Sequence, residues 1–163
     1  MSLFNITDDL YIIDASPALL IRDINAIVIA DLHLGIETIM SEDGVYIPFK
    51  QTQSIIDVVV QIAEKYDVEH LILNGDIKHS FSKPTIIENR EVKLFLEAVS
   101  KKFSEISLII GNHDVLINWA TRDFKNIQLY SDGLQLSKYY FTHGHKRLPE
   151  KLEEKVKYVI IGH

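Results

Sequence analysis

HLILNGD, residues 70–76, is an apolar run that stops abruptly at a glycine and a carboxylate. Its unbroken Leu-Ile-Leu centre suits a strand covered on both faces, because a strand with one wet face alternates. The same spelling recurs on either side. AIVIA at 26–30 runs into Asp31 and His33, and ISLIIG at 106–111 runs into Asn112, His113 and Asp114. Helical patterns lie between these runs. Gln51–Tyr66 places Ile55, Ile56, Val59, Val60, Ile62 and Ala63 on one stripe, and a second helix from about Ile86 to Lys102 would bury Val92, Leu94, Phe95, Leu96 and Val99. Strand, helix, strand, helix, strand predicts right-handed crossovers and a mainly parallel sheet.

Farther along, NIQLY (126–130), a turn at Asp132 and Gly133, LQL (134–136) and YYFT (139–142) predict an antiparallel meander forming a second sheet, and YVIIG (158–162) a last strand. Asp114 is placed to cap a helix over Val115–Trp119, and the charged run EKLEEKVK at 150–157 reads as a solvated helical face. The expected class is α/β, two packed sheets with outer helices, in one domain over residues 1–163. GIETIMSEDGVYIPFK (35–50) is the longest irregular stretch, of a length that shapes sites or moves.

Composition narrows the chemistry. No apolar run approaches the about 18 residues of a membrane span, and MSLFNITDDL lacks the basic start and long apolar core of a secretory signal, so a cytoplasmic protein without a membrane partner is expected. The absence of cysteine excludes disulfides and thiolate-held zinc, leaving nitrogen and oxygen donors for any metal. A net charge of −6 offers no field for gripping an extended duplex. Carboxylates that hold dications invert their local field, so an anionic substrate remains admissible.

Five strand ends carry one kind of residue: Asp31 and His33; Asp76; Asn112, His113 and Asp114; His143 and His145; and His163. Ligands of open α/β sheets sit outside the carboxyl ends of the strands, so these groups are expected to converge. Asp31 and His33, two apart on an extended chain, would point to the same side. Asp76, with two oxygens, can serve two ions and is the bridging candidate. Taken singly, DxH or GD is more often a turn or cap, and it is the ordered set that argues for a two-dication site. His70 precedes its strand at the far end and reads as solvated or capping. His79, in the loop after Asp76, lies within reach of a substrate, with a structural role the more frequent outcome. Trp119, Tyr139 and Tyr140 read as core or rim.

DLH, NGD, GNHD, HGH and the final GH, in this order over residues 26–163, resemble the calcineurin-like metallophosphoesterases. ADLHLGIE, the later Gly44, Ile47 and Pro48, and NGDIKH are most similar to the SbcD-related branch, archaeal-type and DNA ligase-associated. The resemblance implies a four-layer α/β/β/α sandwich. It implies two divalent ions, Mn²⁺ favoured with Fe²⁺, Ni²⁺ or Zn²⁺ admissible. Asp31, His33 and Asp76 would hold the first, and Asp76, Asn112, His143 and His163 the second. His113 would protonate the leaving oxygen with Asp114 orienting its ring, and His145 and Asn112 would touch the substrate phosphate. The implied reaction is hydrolysis of a phosphodiester, nucleic acid or nucleotide, by a hydroxide between the ions. A phosphomonoesterase and a catalytically impaired or non-catalytic metal-binding scaffold of the same fold are the competing readings, and retention of His113 argues for an enzyme. The family motif ends GHxH, so this sequence reads as cut inside it, with the first metal short of one imidazole, later strands missing, and self-association through the C-terminal edge expected.

Overall fold

Alternate residues of the central strands face two different cores. In the computed structural model, residues 1–37, 40, 51–81 and 83–163 are described. The strands are β1 (Leu3–Asn5), β2 (Leu10–Ile13), β3 (Leu19–Ile21), β4 (Ala26–Ile29), β5 (His70–Asn74), β6 (Glu105–Ile109), β7 (Ile127–Tyr130), β8 (Leu134–Leu136), β9 (Tyr139–Thr142) and β10 (Tyr158–Ile161). The α-helices are α1 (Gln51–Tyr66), α2 (Ile86–Lys102) and the single-turn α3 (Asn118–Thr121). β1 to β7 form one sheet in sequence order, with β1–β4 antiparallel and β4–β7 parallel. β10-β9-β8 form a second, smaller sheet.

Ile27, Ile29, Leu71, Leu73, Ile106 and Leu108 pack with Ile56, Val59 and Ile62 of α1 and Val92, Phe95 and Leu96 of α2. Their neighbours Ala26, Val28, Ile72 and Ile109 pack instead with Tyr139, Phe141 and Ile160 of the small sheet. This two-sided burial is why the runs are unbroken. It yields layers α/β/β, and no helix covers the outer face of the small sheet among the described residues. Asn74, at the end of β5, ties the sheets together: its Nδ2 donates to the Thr142 carbonyl at 3.0 Å and the Ile160 carbonyl at 3.2 Å.

Several local expectations are corrected. NIQLY does not start the small sheet; β7 extends the large one, parallel to β6, with Ile127 and Leu129 on the helix-side core and Tyr130 on the other. Asn126 anchors it there by donating to the Ser100 and Phe103 carbonyls at the end of α2. β1–β3 form an antiparallel meander, too short to stand out in the sequence. Residues 150–157 are irregular, since only Leu152 and Val156 are apolar there and so short a helix needs a face to bury. The helix expected over Val115–Trp119 begins at Asn118, because Asp114 is occupied elsewhere, and Leu94 is 42% exposed rather than buried. Gly44, Ile47, Pro48 and most of 35–50 lie outside the described residues.

His70 corrects the reading of a solvated or capping residue. It is 8% exposed within β5, and its Nε2 lies 3.0 Å from Ser107 Oγ. Burial holds its pKa below the ordinary imidazole range against the opposing charge of Glu105. Below about pH 6.5 the unfolded chain therefore binds more protons at this position, and stability is lost as the pH falls toward the depressed folded pKa. Urea midpoints compared at pH 7.5 and 5.5 are expected to fall on acidification, and to fall less in His70→Gln.

Candidate metal centre

Beyond Ile29 the chain leaves β4 and runs beside the end of β5. Asp31 N donates to the Gly75 carbonyl (3.0 Å), His33 N to the Asp76 carbonyl (3.0 Å) and Leu34 N to the Ile77 carbonyl (2.9 Å). Asp31, His33 and Asp76 all adopt left-handed backbone, with φ of 54°, 45° and 53°. The extended geometry expected for Asp31 and His33 is thus wrong, although both reach the same place. Non-glycine residues hold such conformations, at of order 1 kcal/mol or more each, where the surroundings fix them, and they gather at functional sites. Two glycines allow the crowding: a Cβ on Gly75 would stand 2.3 Å from His143 Nδ1, and one on Gly111 2.2 Å from Asp76 Oδ1.

Asp76 is 2% exposed and sits at the meeting point. Its Oδ2 lies 3.1 Å from His143 Nε2 and 3.8 Å from His113 Nε2, while Oδ1 accepts the His113 backbone N–H at 2.9 Å. The ligand atoms of Asp31, His33 and Asp76 lie within 4.8 Å of one another, as do those of Asp76, His143 and His163, so Asp76 is common to both groups. Asn112 Oδ1 stands 3.1 Å from His143 Nε2. His143 Nδ1 is 3.0 Å from the Asn74 carbonyl, which can only accept, so this nitrogen carries a proton, and in the neutral ring Nε2 would present its lone pair to the site. An imidazole nitrogen, a carboxylate oxygen and an amide oxygen then face one point, an arrangement suited to a cation. His33 adds a buried Nδ1 with no hydrogen-bond partner. These donors fit first-row divalent cations. His163 and His145 are exposed at the rim, their rings 5.1 and 5.4 Å from that of His143.

Asp114 does not orient His113. Its Oδ2 accepts the N–H groups of Asp76 (2.8 Å) and Gly111 (2.9 Å), and its Oδ1 those of Ile77 (2.8 Å) and Lys78 (3.3 Å). Burial pushes this carboxyl above its ordinary range, with the amides of Gly111, Lys78 and Ile77 pulling the other way. The partner of the His113 ring is the His79 carbonyl, which receives Nδ1–H and leaves Nε2 toward Asp76.

The sequence understated what surrounds His113. His33, His79 and His113 bring ligand atoms within 4.8 Å of one another, and burial, then the neighbouring His33 and His113, hold His79 below the ordinary imidazole pKa. Phe81, 63% exposed, lays its ring 3.6 Å from that of His113, centroid to centroid. Glu88 was missed altogether. Thr85-Ile-Ile-Glu88 has the spacing of a helix capping box, a signal that conceals any other use of the carboxylate.

Asp114→Asn sets an NH₂ group against inward-pointing amides. It is expected to cost about 1–3 kcal/mol in urea unfolding and to weaken Mn²⁺ binding measured by calorimetry, because the loops bearing Asp76 and Asn112 lose their common anchor.

The fold resembles a crystal structure of the Pseudomonas putida nuclease MPE, with a TM-score of 0.65 and 20% sequence identity, covering 86% of this chain and 64% of that one. The shared architecture is the metallo-dependent phosphatase fold, a large sheet flanked by helices. The chain thus spans less than two thirds of the neighbour's length. The calcineurin-like phosphoesterase family matches residues 24–163, and the chain belongs to that family.

Proposed function

We propose that the chain is a dinuclear, divalent-metal-dependent phosphodiesterase acting on nucleic acid or nucleotides. The observation that carries this reading is the convergence of Asp76, Asn112 and His143 acceptors on one point beside the His113 imidazole. Asp31, His33 and Asp76 would hold one cation and Asp76, Asn112, His143 and His163 the other; Mn²⁺ suits this nitrogen and oxygen donor set, which Fe²⁺, Ni²⁺ or Zn²⁺ would also fit. Bound there, two dications supply water activation at neutral pH and neutralise charge on the phosphoryl oxygens.

His113 delivers the proton to the leaving oxygen. Its Nδ1–H is committed to the His79 carbonyl, so the transferable proton is the one on Nε2, which lies 3.8 Å from Asp76 Oδ2. His145, exposed at the rim, would meet a phosphate oxygen. The exposed Phe81 ring, tilted by 33° against that of His113, offers a surface for a base next to the leaving group. That platform, the SbcD-like NGDIKH segment and the nuclease neighbour favour a nucleic-acid end or nucleotide, and the net charge of −6 disfavours a long duplex.

With Mn²⁺, the chain is expected to hydrolyse bis(4-nitrophenyl) phosphate and a single-stranded oligonucleotide in preference to 4-nitrophenyl phosphate, and chelation to abolish turnover. Hydrolysis of the monoester alone would overturn the assignment. His113→Ala is expected to lower kcat on the oligonucleotide by about 10²–10⁴-fold while metal content by elemental analysis stays the same.

A further inference from the structure

Glu88 lies in the first turn of α2, yet its carboxylate turns away from the helix. Its backbone N–H donates to Thr85 Oγ1 at 3.1 Å, which completes half of a capping box. In the other half, Glu would reach back to the Thr85 N–H. Instead Glu88 Oε1 accepts the N–H of His79 at 2.9 Å and of Ser80 at 2.6 Å. The residue is 1% exposed, and the chain is shaped to admit it: a Cβ on Gly35, at φ +89°, would stand 2.9 Å from Glu88 Cβ and Cγ. Lys78, also 1% exposed, feels the Glu88 charge, and its Nζ donates to the Ser80 carbonyl from the other side of the same loop. Burying a carboxylate is costly unless it is bonded or offset by charge, and both compensations here converge on residues 79 and 80. That segment hydrogen-bonds the proposed acid through the His79 carbonyl on His113 Nδ1, while the His79 ring stands beside those of His33 and His113.

We propose that Glu88 is a positioning residue for proton delivery: by gripping the His79 and Ser80 amides it fixes the His79 carbonyl, which holds the His113 ring with Nε2 aimed at the leaving oxygen. This deepens the phosphodiesterase reading and rests on it. Glu88 belongs to none of the candidate donor groups, so its effect is expected to depend on how much the leaving group needs a proton. A nitrophenolate leaves without one; a nucleoside or alkyl alcohol does not.

The test compares Glu88→Ala and Glu88→Gln, in Mn²⁺, on methyl and 4-nitrophenyl diesters of thymidine 5′-phosphate. Glu88→Ala is expected to lose about 10²-fold in kcat for expulsion of methanol, as for other misplaced catalytic groups, with nitrophenyl turnover, KM and metal content nearly unchanged. Glu88→Gln keeps an oxygen acceptor and is expected to restore most of the loss. Adding Glu88→Ala to His113→Ala is expected to slow the enzyme no further, since both act through one proton. Equal loss on both leaving groups, or multiplicative losses in the double variant, would overturn the proposal. Independently of turnover, ¹H–¹⁵N spectra of the imidazoles in metal-free protein are expected to show the His113 Nδ1–H signal unmoved in Glu88→Gln and moved in Glu88→Ala. An unmoved signal in Glu88→Ala would also overturn it. Glu88→Asp, with charge kept at shorter reach, takes the place of Ala if that variant does not fold. Wild-type protein inert toward every diester would refute the phosphodiesterase reading, while the spectra would still decide whether Glu88 governs the ring.

Discussion

Four backbone amides from two strand ends point at the carboxylate of Asp114, and the geometry of the metal centre follows from that convergence. Asp76, Ile77 and Lys78 leave β5, and Gly111 leaves β6; without a shared acceptor their N–H groups would be buried and unpaired, at about 1–3 kcal/mol each. One side chain thus satisfies the donors freed when two parallel strands stop pairing. It also welds the loop carrying Asp76 to the loop carrying Asn112 and His113.

That weld is what permits a site whose own groups repel. Asp31, Asp76, Asn112 and the rings of His33, His143 and His163 crowd together, with Asp31, His33 and Asp76 on left-handed backbone and Gly75 and Gly111 leaving no room for a side chain. Such an arrangement does not stabilise a fold. It is carried by the rest of the molecule: the double-faced sheet, the Asn74 amide bridging β5 to β9 and β10, and the Asp114 anchor. In return it presents a preorganised cradle for positive charge, so ligands need little rearrangement when a cation arrives.

Around His113 the division of labour is between backbone and side chain. A carbonyl, not a carboxylate, sets the tautomer, so the ring is oriented without a second negative charge being added beside Asp76. The negative charge that supports this loop, Glu88, lies one residue layer farther out and is screened by the buried Lys78. Glu88 thus holds the loop without belonging to the candidate donor groups.

Much of this was legible in the amino-acid order. Unbroken apolar runs require burial on both faces, so AIVIA, HLILN and ISLII could only be inner strands, and the apolar stripes of Gln51–Tyr66 and Ile86–Lys102 mark the helices that cover them. Polar residues at the ends of such strands have few uses but ligands or caps, and their order and spelling mark out the candidate donors, Asp31 to His163. What the order of residues left open were the partners of each group. Whether β7 joins the large sheet or the small one, whether Asp114 faces a ring or a nest of amides, whether His70 is wet or buried, and whether Glu88 caps its own helix or grips a loop all depend on which atoms come within 3 Å. Hydrogen bonds act only at that range and between groups remote in the chain, so the tertiary fold alone assigned them.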